Sequence, residues 1–293
     1  RPATCEELLR VHDPAYVDAI EATRGRAVRL DPDTYTSPES YDTALLAAGA
    51  AVEAARHALD GRGAAAALVR PPGHHAERDR AMGFCLFNNV AVASADALAR
   101  GAAKVAVVDI DVHHGNGTQW MFYADPRVLY VSTHQFPFYP GTGAADEVGQ
   151  GRGAGFTVNV PLEAGAGDAD YWLVYDDYVG PLVEAFAPDL VIVSAGYDAH
   201  ERDPLAGMRV TTAGYAAIVA RLTTAAARAS GGRIALVTEG GYDLEALAAC
   251  LQASLDVLDG RAPADPPFGG STARGRAALQ AVRAAQKPYW PAL

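Results

Sequence analysis

The sequence predicts an α/β fold with a central parallel sheet flanked by helices, and three observations predict it. Five apolar runs, 65–70, 104–110, 127–133, 189–194 and 233–238, lack the in-out alternation of half-exposed strands. They read as strands buried on both faces, the habit of parallel sheets. Stretches with apolar residues at helical spacing, such as 41–60 and 215–227, lie between them and supply the crossovers of βαβ units. A chain of 293 residues that is 50% hydrophobic can bury one large core. Taken in order, 65–70 leaves through Pro71, Pro72 and Gly73, and 104–110 runs into Asp109 and Asp111. The run 127–133 follows a helical stretch, 189–194 leaves through Gly196, Tyr197 and Asp198, and 233–238 through Glu239, Gly240, Gly241 and Tyr242. No repeat and no linker divides the chain, so residues 1–293 are expected to form one domain. "PADPPFGG", 263–270, reads as an irregular connection, and the tail 263–293 as a short helix packing on the body.

Composition narrows the function classes. A formal net charge of −11 disfavours a nucleic-acid partner, which needs a basic face, and suits a cationic substrate. Cys5, Cys85 and Cys250 are far apart and form no CxxC pattern, which argues against a disulfide framework or thiolate zinc finger and fits the cytoplasm. No apolar run approaches a membrane span of about 18 residues, and no secretory leader pattern opens the chain.

The strand exits carry the chemistry, as ligands of open parallel sheets bind at the carboxyl ends of strands. "VAVVDIDVHHGNGTQ", 105–119, ends a buried run in two aspartates and two histidines. Burying carboxylates costs several kcal/mol without a cation or hydrogen-bond donors, so this reads as a metal site. Four of the eight histidines fall in two doublets, His74-His75 and His113-His114, both at strand exits. In extended chain Asp111 and His113 share a face; with Asp198 they form a hard and borderline ligand set that leaves a position open, as catalytic zinc sites do. His114 points the other way and reads as a packed histidine.

"RPPGHHA", "GFCLFNN", "DIDVHHGNGTQ", "VSTHQF", "SAGYDAHERDPL" and "EGGYD" occur in order between about Glu6 and Asp259. In order and spacing they resemble the zinc-dependent histone deacetylase and acetylpolyamine amidohydrolase family, closest to its class II-like bacterial members. The resemblance implies the three-layer arginase/deacetylase-like fold and hydrolysis of an acylated amine such as acetyl-lysine or an acetylpolyamine. It implies one catalytic Zn2+ on Asp111, His113 and Asp198, with Fe(II) also acceptable to that ligand set. His75 becomes the general base, His74 its electrostatic partner and proton donor, and Tyr242 a donor to the substrate carbonyl. Gly83 and Phe84 line the acyl-lysine channel. Asp109 supports His74 and shares a structural K+ or Na+ with Asp111, Ser132 and the backbone at His113, while a second monovalent site lies around Phe122, Asp125 and Val128.

Departures from the family pattern are informative. Asn116 stands where many members carry an aspartate behind the second histidine, which leaves His75 less basic. Tyr139 replaces the usual phenylalanine of the other channel wall, which disfavours a long apolar acyl chain. The family's opening histidine and proline motif is absent before Arg1, so the N-terminus is expected to be incomplete. Leu205, after the Asp-Pro pair, stands at the channel mouth, where in the class II branch leucine goes with acetyl-lysine and glutamate with polyamines. Glu39 and Glu201 are candidates for a negative rim that would attract polyamines instead. Two further readings compete: a two-manganese ureohydrolase, which would need an Asp-x-Asp pair where "GYDAHERD" has one ligand aspartate, and a catalytically silent binder of acetylated ligands. Oligomeric state is not legible.

Overall fold

A computed structural model describes residues 1–261 and 268–293. Six parallel strands, β1 (Ala65–Ala67), β2 (Val105–Asp109), β3 (Val128–Gln135), β4 (Thr157–Leu162), β5 (Leu190–Ala195) and β6 (Ile234–Thr238), form one sheet in the order β1-β6-β5-β2-β3-β4. Five of them are the predicted runs, with β1 shorter and β3 longer than expected. The missed strand, β4, reads TVNVPL: its polar alternation and Pro161 argue against a buried strand, but an edge strand tolerates proline because one side needs no ladder partner.

Helices cover both faces, and the unbroken apolar runs follow from that. Val105 and Val107 of β2 join a core with the helices Ser40–Leu59 and Asn89–Ala99. Ala106 and Val108, alternating with them, join a second core with the helices Gly180–Phe186 and Thr212–Ser230. Each strand residue therefore meets apolar side chains whichever way it points. The C-terminal helix Ala273–Gln286 packs beside β4, where Gln286 Nε2 donates to the Thr157 carbonyl at 2.7 Å. Of the expected irregular connection at 263–270, residues 263–267 lie outside the described residues.

The topology positions the site. Strands β1, β6, β5 and β2 are consecutive neighbours, so the loops leaving their carboxyl ends meet although they begin as much as 171 residues apart in the chain, at Ala67 and Thr238.

Candidate active site

Asp109 is the last residue of β2, and side-chain hydrogen bonds curl the chain after it. Asp109 Oδ1 accepts the Asp111 N–H at 3.1 Å, and Asp111 Oδ1 accepts the His113 N–H at 2.8 Å. Residues 111–113 thus form a bend, where the sequence predicted extended chain. The two side chains converge all the same, because the aspartate turns bring His113 Nδ1 to 3.0 Å from Asp111 Oδ1. Asp198, from the exit of β5, accepts the Val112 N–H on Oδ1 at 2.8 Å and sets Oδ2 3.1 Å from His113 Nδ1. One ligand atom each from Asp111, His113 and Asp198 lies within 4.8 Å of the others.

Two carboxylates oriented by backbone donors and an imidazole stacked on Phe138, with no lysine or arginine among the described residues lining the cavity, form a donor set that fits a divalent transition-metal ion. Gly240 completes the cradle. Its N–H donates to Asp111 Oδ2 at 2.9 Å, and a Cβ there would run into the carboxylates of Asp198 and Asp111. His114 lies outside the set, buried between Thr142 Oγ1 at 2.7 Å and Gln119 Oε1 at 3.0 Å.

The first histidine doublet divides into two different imidazoles. His74 Nδ1 faces Asp109 Oδ2 at 3.0 Å. Burial opposes its charged form, but the Asp109 and Asp111 carboxylates outweigh that and hold its pKa up at about 10. His75 pairs with a neutral partner, Asn116 Oδ1, at 2.8 Å. Burial, then the neighbouring His74 and His113, push its pKa well below the ordinary value. Asn116 Nδ2 donates to Glu77 Oε1 at 2.7 Å, which fixes Oδ1 toward His75. His75 Nδ1 therefore carries the hydrogen, and Nε2 keeps a free lone pair.

Above the histidines a narrow cavity of about 110 Å³ leads outward. Phe84 and Tyr139 flank it, Tyr242 and Leu205 line it, and the Phe84 and Tyr242 rings meet edge-on at 6.2 Å between centroids. Gly83 and Phe84 both take positive φ, 57° and 67°, which throws the Phe84 ring outward. A side chain at Gly83 would strike the His75 ring, so glycine is required there by contact as well as by φ. The Tyr139 ring meets His75 edge-on at 5.2 Å. Burial, then Asp111 and Asp198, raise the Tyr242 pKa, so the phenol keeps its proton.

The residues expected to hold monovalent cations fall into two groups. Asp109 and Ser132 are cross-strand partners in the β2–β3 register, beside Asp111. Phe122, Asp125 and Val128 share one turn, in which the Asp125 N–H donates to the Phe122 carbonyl at 2.9 Å, the Val128 N–H to the Asp125 carbonyl at 3.3 Å, and Arg127 takes the Asp125 carboxylate at 2.6 Å.

Sequence reasoning missed three residues. Phe138 stacks on the metal-set His113 with 20° between the rings at 5.2 Å, Glu77 stands behind Asn116, and Asp33 lines the mouth. Asp33 takes the rim position expected of Glu39 or Glu201, neither of which lines the cavity. The adjacency of Glu77 to "GHHA" was the one available signal. Cys5, Cys85 and Cys250 are free thiols. No helix among the described residues is long and apolar enough to cross a membrane.

Comparison with known proteins points to one family. A family model for the histone deacetylase domain matches residues 1–258. A probable deacetylase of Archaeoglobus fulgidus is 43% identical over 83% of this chain and 68% of its own length. Histone deacetylase 15 of Arabidopsis thaliana is 44% identical over 100% of this chain and 54% of its own, and human polyamine deacetylase HDAC10 is 42% identical over 100% and 46%. The chain thus spans about half to two thirds of the length of these relatives. The crystal structure of the HDA15 HD domain superposes with a TM-score of 0.92 and 44% identity, covering 99% of this chain and 81% of that one.

Proposed function

The chain belongs to the histone deacetylase family, and from that premise we propose that it is a zinc-dependent amidohydrolase that releases acetate from acetylated amines. The observation that carries the reading is the convergence of Asp111, His113 and Asp198 with the His74–His75 pair and Tyr242 around one cavity. A divalent ion bound by that set supplies Lewis acidity toward the amide carbonyl and lowers the pKa of water.

The chain's own groups do the rest. His75, neutral and with its Nε2 lone pair free, removes the proton of the attacking water as the new C–O bond forms. Tyr242, held protonated, donates to the carbonyl oxygen as negative charge develops there. As the C–N bond breaks, the imidazole pair returns a proton to the leaving amine, and the Asp109 carboxylate stabilises positive charge on His74. Phe84 and Tyr139 clasp the alkyl stem and exclude bulk water. A structural K+ or Na+ beside Asp109, Asp111 and Ser132, and another at the turn of Phe122, Asp125 and Val128, fit the oxygens available there.

Leu205 at the mouth favours acetyl-lysine, since an apolar residue packs on the methylene stem and offers an ammonium no counter-charge. Asp33 supports a second reading, an acetylpolyamine whose free ammonium meets that carboxylate. A ureohydrolase finds less support, because the described residues hold one three-residue metal set. A silent binder finds little either, with every acid, base and oxyanion group retained. The free thiols fit a reducing compartment such as the cytoplasm.

Acetate release from acetyl-lysine peptides, acetylputrescine, acetylspermidine and longer acyl-lysines tests the assignment. Activity is expected to vanish on chelation and return with zinc, and Tyr242→Phe to lower kcat about 10²- to 10³-fold with metal content unchanged. Absence of turnover of every substrate by the zinc-loaded protein would refute it.

A further inference from the structure

Asp203 is a buried carboxylate that no part of the proposed chemistry uses. Its side chain pairs with no lysine or arginine among the described residues. Instead each oxygen accepts one backbone N–H: Oδ1 that of Leu205 at 3.0 Å, Oδ2 that of Tyr242 at 2.8 Å. A buried carboxylate without a cation is costly unless such donors hold it, and here the two donors belong to different loops. One carries the residue at the channel mouth, the other the phenol of the site.

The Tyr242 loop needs an outside support. Two glycines precede the tyrosine, Gly241 at φ 135°, and glycine backbone has the most freedom to lose. The Asp203 loop is in turn anchored, since its N–H donates to the His200 carbonyl at 2.9 Å and the Tyr197 N–H donates to the Gly240 carbonyl at 2.9 Å. Arg202 adds an exposed link, 3.2 Å from Asp243 and 2.8 Å from Glu245. Exposed ion pairs contribute little, and the Tyr197–Gly240 bond stops two residues before the tyrosine, so the buried carboxylate is the tie that reaches the backbone of Tyr242 itself.

We propose that Asp203 is a positioning residue that ties the backbone of Tyr242 to that of Leu205, so that the oxyanion donor and the channel mouth are set as one unit. The proposal rests on the reading of Tyr242 as the oxyanion donor, and its test separates the two. Asp203→Asn keeps the shape but turns an amide N–H toward one of the two donors. In the zinc-loaded protein with an acetyl-lysine peptide, this variant is expected to lose about 10- to 100-fold in kcat, the scale of a small misplacement of a catalytic group, with metal content unchanged, a smaller change in KM from the freed mouth, and a melting temperature lower by a few degrees because a buried donor loses its acceptor. In the Tyr242→Phe background the same change should cost little more, because the group being positioned is already gone. Equal losses in both backgrounds, or no loss in Asp203→Asn while Tyr242→Phe is impaired, would overturn the strut. If Tyr242→Phe retained full kcat, the oxyanion reading would fall, and with it the catalytic half of this proposal. Amide hydrogen exchange on the unmodified protein judges the strut without any variant: the Leu205 and Tyr242 amides should both be protected, and exchange of either at the rate of an open loop would overturn it.

Discussion

Asn116→Asp probes the relay behind His75. An aspartate in that place raises the basicity of an imidazole, so on sequence alone the change should strengthen the base. The surroundings oppose it here. Asn116 Nδ2 donates to Glu77 Oε1 at 2.7 Å, so a second carboxylate would face a carboxylate that is only 19% exposed. Two unit charges about 3 Å apart repel by roughly 1.4 kcal/mol in water and about 5.5 kcal/mol at an effective dielectric of about 20. Arg80, 2.8 Å from Glu77, offsets part of this. A ceiling comes from protonation, because holding one carboxyl neutral at pH 7, about 2.7 units above an ordinary value of about 4.3, costs about 3.7 kcal/mol. The expected loss is therefore about 1.5–3.5 kcal/mol, a fall of roughly 3–10 °C in Tm for a domain of this size. The shared site raises a carboxyl pKa in the folded state, so the penalty is absent below the unfolded pKa of about 4 and grows as pH rises. Thermal melts at pH 5 and pH 8 should show the larger deficit at pH 8. Glu77→Gln in the same chain restores a donor and should recover the stability, after which the acid limb of kcat/KM should lie at higher pH than in the unmodified protein. A single variant as stable as the parent at pH 8, or a double variant less stable than the single, would refute the relay.

Asp198→Ala removes one of the three ligands of the metal set, and metal analysis after zinc loading should fall from one ion per chain to background together with activity. Because burial and the neighbouring His74 and His113 depress the His75 pKa, the neutral base persists below pH 6.5, so kcat/KM should stay level down to that pH; an acid limb centred above 7 would count against His75. Leu205→Glu places a charge in a partly desolvated mouth that already holds Asp33. It should raise kcat/KM for acetylspermidine relative to an acetyl-lysine peptide by about 5- to 150-fold, corresponding to roughly 1–3 kcal/mol, and an unchanged ratio would mean that another part of the rim sets specificity.

The sequence by itself determined the buried parallel strands, because residues covered on both faces must be apolar whatever covers them, and five such runs stand out. It also singled out the candidate site, since Asp109, Asp111 and the histidine doublets stand at strand exits where no core needs them. It did not reveal β4, whose Pro161 and polar alternation are tolerable only because the strand lies at the sheet edge, a property of strand order and not of local pattern. Strand order itself waited on the tertiary structure, as long crossovers leave no local trace of which strands become neighbours. The same holds for Glu77, Phe138, Asp33 and Asp203. Glu77 reaches Asn116 across 39 positions and Asp203 reaches Tyr242 across 39. An acidic residue in a loop reads as solvated surface until another loop closes on it, and only the closed fold decides which carboxylates face water, which face a cation, and which hold a backbone in place.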